Sequence, residues 1–253
     1  MSPFFIGWSG LPRGLYGFVA AIVASIIGVG ALFAALVLVA LPPRTTGEWS
    51  GGDFTGILMT KPYALVRIPA AGNAPARSVL LVDDWKFGLP LGPEVHDGET
   101  VHVQGYALQR GDVTVLQVSA PPQPTSPIAP APELHDAGAA TLTGEIVDSK
   151  CWAGAMNPGD GKAHRGCGSL CLLGNIPALF ITPAADAPSS AVRWYVLADA
   201  EGNSLAEAIR LHVGEQLTLT GRVFDAPDLH EFRVDRQSDE RLLSFAAARP
   251  PER

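Results

Sequence analysis

The sequence predicts a mainly β protein: one N-terminal transmembrane helix followed by two tandem β-barrel domains, the second carrying a Cys/His-bearing insertion. Three observations carry that expectation. Residues 14–43 contain no charged side chain. Short β-like runs then occur twice, in the same order, along the remainder of the chain. All three cysteines lie within residues 148–177, inside the second copy.

The apolar run exceeds the roughly 20 residues that a helix needs to cross a bilayer. Tyr16 and Phe18 stand where interfacial aromatics belong, and Pro42-Pro43 stops the helix. The run is too long for a cleavable signal peptide, and Ala40 before Leu41-Pro42 is a poor cleavage site, so a permanent single span is expected. Arg13 and Arg44 flank it on either side, so charge barely fixes orientation. Export of the long C-terminal part is the simpler topology. Ala24, Gly28, Gly30 and Ala31 form a small-residue run of the kind that lets helices associate.

The repeat is gapless over its hairpins. Gly98-Glu-Thr-Val-His-Val-Gln-Gly105 and the residues to Val118 align on Gly214-Glu-Gln-Leu-Thr-Leu-Thr-Gly221 and the residues to Val234. A histidine precedes each first glycine by two residues, His96 and His212. Upstream, Phe54-Thr-Gly-Ile matches Leu142-Thr-Gly-Glu-Ile, and Leu80-Leu-Val-Asp matches Val196-Leu-Ala-Asp. Such self-similarity signals duplication.

In the second copy, strands are expected at 140–148, 178–181, 192–198, 216–223 and 229–234, from period-two alternation and β-rich composition. Ser204-Leu-Ala-Glu207 reads as a capping box opening a short helix between the third and fourth strands. Five strands with a helix in that place is the order of an OB-like Greek-key barrel. The first copy lacks the capped helix, since 86–95 carries Gly88, Pro90, Gly92 and Pro93. The domains expected are therefore 1–45 (N-terminal segment and span), 46–119 (first barrel), 120–138 (Pro-rich linker), 139–236 (second barrel) and 237–253 (tail, docking as a short helix before it frays).

The second copy is longer between its marker glycines (Gly144 to Gly221 against Gly56 to Gly105), mostly because of the cysteine segment. Where the second copy has Lys150-Cys151-Trp152, the first has Lys61-Pro62-Tyr63. The insertion thus reads as grafted onto a barrel that closes without it, and an insertion of this length is expected to be functional. His164, Cys167 and Cys171 share one face if 164–171 is helical. Cys151 reaches them across the Met156-Asn-Pro-Gly turn. Three thiolates and an imidazole suit Zn²⁺, and soft thiolates also suit Cu(I). Met156 and Asp148 are additional ligand candidates, and Asp148 or Lys150 would otherwise hold the histidine tautomer or offset thiolate charge. Two alternatives stand beside the metal site. One is a disulfide staple, favoured by an oxidising compartment, in which Cys167 and Cys171, one helical turn and about 6 Å apart at Cα, are within reach and Cys151 can pair with either. The other is a working redox thiol, to which Arg165 and Lys162 would lend positive charge. Trp85, Trp152 and Trp194 read as core or rim aromatics, with Trp152 shielding Cys151 from water.

Gly144-Glu-Ile-Val-Asp-Ser-Lys-Cys151, Met156-Asn-Pro-Gly, His164-x-x-Cys167-x-x-x-Cys171 and Gly174-x-Ile-Pro177 together resemble a poorly characterised group of bacterial envelope proteins. That group carries an Asp-Ser-Lys-Cys…His-x-x-Cys-x-x-x-Cys signature on a small OB-like β-barrel. The resemblance covers roughly 140–234. Members carry Cys-Ala and Gly-Gly-Ile-Pro-Pro where this chain has Cys167-Gly168 and Gly174-Asn175-Ile176-Pro177-Ala178. The resemblance implies an envelope location and the barrel fold, and hands over no activity.

The net charge of −7 and the lack of any Lys/Arg cluster argue against nucleic acid as a partner. The chain shows no Ser/His/Asp arrangement, phosphate-cradling glycine loop or facing carboxylate pair, so a non-enzymatic role is expected. The reading is a membrane-anchored protein of the bacterial inner membrane with its C-terminal domains in the periplasm. It would be an accessory or assembly subunit for another membrane or periplasmic protein, such as a respiratory complex. Its Cys151/His164/Cys167/Cys171 loop would bind Zn or Cu or work in redox chemistry.

Overall fold

The computed structural model describes residues 12–40, 47–183 and 192–235. The Pro42-Pro43 helix stop and the C-terminal tail lie outside the described residues. The chain divides into two compact units, between residues 44 and 45.

The first unit is a turn of 3-10 helix, Arg13–Leu15, running into α1, Tyr16–Ala40. The most apolar 18-residue window of Arg13–Val39 has a mean hydropathy of 2.8, and none of it is buried. At 1.5 Å per residue α1 is about 38 Å long, enough to cross the ~30 Å hydrocarbon core. Its one serine is satisfied within the helix, Ser25 Oγ donating to Ala21 O at 2.8 Å.

The second unit holds two closed five-stranded barrels of the same OB-like topology. In the first, β1 (Ser50–Met59), β2 (Leu65–Ile68), β3 (Arg77–Val82), β4 (Thr100–Arg110) and β5 (Val113–Val118) pair in the order β1-β2-β3-β5-β4, and β4 returns to β1. Only the β3–β5 pairing is parallel. A short β6 (Gln123–Pro124) lies beside β4, within the expected linker. In the second barrel, β7 (His135–Asp148), β8 (Ala178–Pro183), β9 (Val192–Ala198), β10 (Gln216–Ala226) and β11 (Leu229–Val234) repeat that order, with β9–β11 the parallel pair. β7 begins at His135, earlier than the alternation suggested, because β10 extends to Ala226 and gives it a partner as far as Asp225.

The repeated residues do the same work in both copies. Gly98 and Gly214 take left-handed backbone (φ 81° and 74°) in the turn before the fourth strand of each barrel. A Cβ at Gly105 would lie 2.0 Å from Gln117 O, and one at Gly221 would lie 2.0 Å from Arg233 O. Both glycines therefore let the long fourth strand bend tightly against the fifth. In each copy the histidine carbonyl closes the preceding turn: His96 O accepts from Glu99 N and His212 O from Glu215 N.

Between β9 and β10, α3 (Ala206–Ile209) and a 3-10 turn (Arg210–His212) occupy the expected helical position. The capping box does not form. Ser204 Oγ donates to Asn175 Oδ1 (2.6 Å) and accepts from Ala206 N (3.3 Å), so its hydroxyl ties the helix entrance to the insertion.

The barrels are joined by one core. Tyr63, Leu65, Leu80, Val82, Leu108 and Val115 of the first barrel pack with Ile146, Phe180, Leu197 and Phe232 of the second. Trp152, Cys171, Leu172 and Ile176 of the insertion belong to the same cluster. The intervening residues of β2 and β3, Val66, Val79 and Leu81, face a separate core inside the first barrel. These strands are thus covered on both faces. The expectation of an insertion merely grafted onto an independent barrel is corrected here: it is packed into the seam.

A buried ion pair crosses the same seam. Asp228, in the β10–β11 turn, accepts from Arg67 Nε (2.8 Å) and Nη2 (2.6 Å) and from Ser78 Oγ (3.0 Å). Both side chains are almost fully buried. Removing one partner strands the other charge in a desolvated setting, at a cost of about 3–5 kcal/mol. Asp228→Ala is expected to lose that much in denaturant unfolding of the full chain. Asp228→Leu combined with Arg67→Met should recover most of it; a loss below about 1 kcal/mol for the single variant would show the seam does not depend on this pair.

Candidate metal and thiol centre

The insertion leaves β7 at Asp148, makes one wide helical turn over Cys151–Ala155, and continues into α2, Gly161–Leu173. Two carboxylates on β7 fix it. Glu145 Oε1 accepts from Gly161 N (2.5 Å), satisfying an orphan donor at the start of α2. Burial pushes the Glu145 carboxyl up, against that hydrogen bond. Asp148, fully buried, accepts from Cys151 N through Oδ1 (2.8 Å) and pairs with His164 Nε2 through Oδ2 (2.7 Å).

Each position of Asp-Ser-Lys-Cys thus has a place. Ser149 N donates to Pro177 O (3.0 Å), closing the base of the insertion. Lys150 Nζ donates to Asp83 O and Trp85 O, both at 2.9 Å, gripping the β3–β4 loop of the first barrel. Burial holds the Lys150 pKa below its ordinary value. Cys151 turns inward beside Trp152, whose ring lies 4.5 Å under the Arg110 guanidinium.

The sulfurs converge. Cys151 Sγ lies 3.9 Å from Cys167 Sγ and 3.8 Å from Cys171 Sγ. Ligand atoms of Cys151, His164 and Cys167 lie within 4.8 Å of one another, and so do those of Asp148, Cys151 and Cys171. Cys151 is common to both groups. Cys151 and Cys171 are buried, and Cys167 is half-buried. Met156, by contrast, is 46% exposed beyond the wide turn. Lys162 is exposed, and Arg165 is engaged with Leu211 O and Glu215.

The disulfide expectation is corrected. An S–S bond is about 2.05 Å, and the short contacts here are almost twice that, so the three cysteines are free thiols. The spacing suits another purpose. Tetrahedral Zn–S bonds of about 2.3 Å place neighbouring sulfurs about 3.8 Å apart. The two short contacts already have that length. His164 fits the same arrangement. Its Nε2 is committed to Asp148, while its Nδ1 is buried without a hydrogen-bond partner. A carboxylate on one ring nitrogen and a free lone pair on the other is the usual state of a metal-binding imidazole.

Sequence reasoning missed Lys86. It stands at the tip of the β3–β4 loop of the first barrel, and its Nζ lies 2.8 Å from Cys167 Sγ, 3.4 Å from Cys171 Sγ and 3.3 Å from Cys167 O. Partial burial opposes its charge, but hydrogen bonding to Cys167 and the field of Cys171 prevail and raise its pKa. Cys171 is held below the ordinary thiol value by the hydrogen bond from Cys151, with Lys86 assisting against burial. Cys151 is driven the other way by giving that bond and by desolvation. Cys151 and Cys171 thus act as one pair, beside which the Lys86 ammonium favours negative charge. The one signal for Lys86 was scarcity, since the chain has only four lysines and two of them, Lys86 and Lys150, bridge the insertion and the β3–β4 loop.

Of the tryptophans, Trp152 and Trp194 are buried as expected, but Trp85 is 84% exposed, with φ 55°. It flanks Lys86 and was misread because its neighbours Asp83 and Asp84 resemble an ordinary strand end. Comparison of the chain with known protein families, with characterised proteins and with solved structures finds no match. Fold and site together define a class: a double OB-like barrel with a thiol-rich cluster at its seam.

Two outcomes check this assembly. A Cβ at Gly174 would lie 1.9 Å from Lys86 O, a backbone atom that cannot yield cheaply. Gly174→Ala should destabilise the full chain by about 1–3 kcal/mol in urea unfolding, and an unchanged midpoint would contradict the close approach of the two loops. The second concerns Glu215, which pairs with Arg165 (2.8 Å) and His212 (3.0 Å) and so ties α2 to the second barrel. Burial works against its carboxylate, but His212 and Arg165 outweigh it and lower its pKa. A lowered carboxylate stabilises above its unfolded value of about 4.3 and loses that contribution as pH falls through the folded value. Glu215→Gln should therefore cost up to about 1 kcal/mol at pH 7 and little at pH 3, measured by urea unfolding at both; a constant difference would contradict the linkage.

Proposed function

We propose that this chain is a membrane-anchored protein of the bacterial inner membrane, its barrels on the periplasmic side, whose seam binds a thiophilic metal ion of the Zn²⁺ or Cu(I) class. The observation that carries the metal reading is the sulfur spacing of 3.8 and 3.9 Å between free thiols, at the edge length of a tetrahedral thiolate site. The unpartnered buried Nδ1 of His164 supports it. Cys151, Cys167 and Cys171 would supply thiolates and His164 an imidazole, with Asp148 fixing its ring. A bound ion would supply charge to hold deprotonated sulfurs together in a buried place.

Anchorage is supported by the length and full exposure of the apolar helix. The periplasmic assignment and an accessory or assembly role towards another envelope protein draw on the resemblance given above. The exposed Trp85 and Phe87 beside Lys86 give that role an apolar contact surface. In an oxidising compartment neighbouring thiols pair unless something occupies them, and a metal ion would do so.

A second reading, a thiol that reacts with an exported partner, has one observation in its favour: half-buried Cys167 lies 2.8 Å from the Lys86 ammonium. One experiment separates them. Full-length protein purified in detergent under reductant should carry near-stoichiometric Zn or Cu by elemental analysis, and Co²⁺ should give a tetrahedral thiolate spectrum. Both should vanish in Cys151→Ser. Protein that takes up no metal, but forms trapped mixed disulfides through Cys167, would replace the first reading with the second.

A further inference from the structure

We infer that Lys86 is the resident cation of the centre: its ammonium holds the Cys167–Cys171 side of the cluster in the metal-free protein, and metal uptake displaces it. The inference rests on the metal-binding reading above and names the step by which that site would fill.

Lys86 Nζ touches two sulfurs, at 2.8 and 3.4 Å, and also the Cys167 carbonyl. A metal about 2.3 Å from Cys167 Sγ lies no more than about 5 Å from an ammonium 2.8 Å from the same atom. Two cations at that range in a partly desolvated seam repel strongly, and they compete for the same sulfur lone pairs. The metal, which binds the sulfurs directly, wins that competition.

The loop is built so that only the side chain needs to move. The backbone around Lys86 is fixed independently, by Lys150 Nζ on Asp83 O and Trp85 O and by Gly88 N on Gly174 O at 2.8 Å. Lys86 itself is half-buried, and its neighbours Trp85 and Phe87 are exposed, so its stem can swing to solvent without separating the barrels. In the empty state the first barrel supplies the positive charge that keeps the sulfurs gathered. In the filled state the ion supplies it.

The test uses the full chain in detergent under reductant, with Zn²⁺ alone as the probe. Amine acylation is followed lysine by lysine by mass spectrometry. Saturating Zn²⁺ should raise the labelling rate of Lys86 severalfold while Lys61 and Lys162 stay constant; an unchanged or slower rate at Lys86 overturns displacement. Lys86→Met should bind Zn²⁺ severalfold tighter in competition with a chromophoric chelator, and weaker or equal binding overturns the competition. Failure of every form to take up Zn²⁺ overturns displacement together with the metal reading. In that event the Cys167→Ser/Cys171→Ser double variant still shows whether the sulfurs hold Lys86: faster labelling than in wild type supports the latch, and an equal rate removes it.

Discussion

A single desolvated carboxylate organises the centre. Asp148 ends the first strand of the second barrel with no exposure to solvent, so both its oxygens need donors. One takes the Cys151 amide and sets the wide turn, and the other takes His164 and sets the rotation of α2. With those two bonds made, the helical spacing of His164, Cys167 and Cys171 brings their side chains to the sulfur that the turn has aimed inward. Together with Glu145 at the start of α2 and with Trp152, Leu172 and Ile176 in the shared core, these bonds give the glycine-rich insertion one conformation. A strand end thus gathers the thiols.

What the sequence revealed, and what it concealed, follows from the range of each interaction. The repeat was legible because its marker residues answer local demands: Gly98 and Gly214 meet a positive φ, and Gly105 and Gly221 allow the backbone of one strand to touch the next. The helical face of α2 was legible for the same reason, but the wide turn over Cys151–Ala155 was not, the fold-back being expected at Met156-Asn-Pro-Gly. The capping box was a misreading of a local signal, because Ser204 found a better partner in Asn175, 29 residues away. Lys86 and the Arg67–Asp228 pair were almost hidden. Their partners lie on the other barrel, and neither periodicity nor spacing encodes how two barrels dock. Asp228 after Pro227 looks like any turn residue. Arg67 alone, inside the otherwise apolar Leu65–Ile68 strand, carried a hint that it had a buried counter-charge to meet.

The two copies diverged in complementary ways. In the first barrel the connection between the first two strands is short, and its Tyr63 is buried in the shared core. In the second barrel the corresponding place has grown into the insertion, whose Trp152 and Ile176 enter that core from the other side. The connection after the third strand is equally long in the two copies, 83–99 and 199–215, but the first barrel makes of it the loop that delivers Lys86, where its sibling keeps a helix.

This reciprocity bears on why the thiols sit at a seam rather than inside either barrel. A barrel interior of this size is filled by side chains, and a charged cluster there would displace the core that closes it. An exposed loop would leave the sulfurs open to oxidation and loosely held. The seam offers burial on one side, through Cys151 and Cys171, and access on the other, through half-buried Cys167. It also places the counter-charge on a different module from the thiols, so the charge state of the sulfurs and the docking of the barrels stabilise each other. A centre divided in this way draws its thiols from one module and the ammonium beside them, Lys86, from the other.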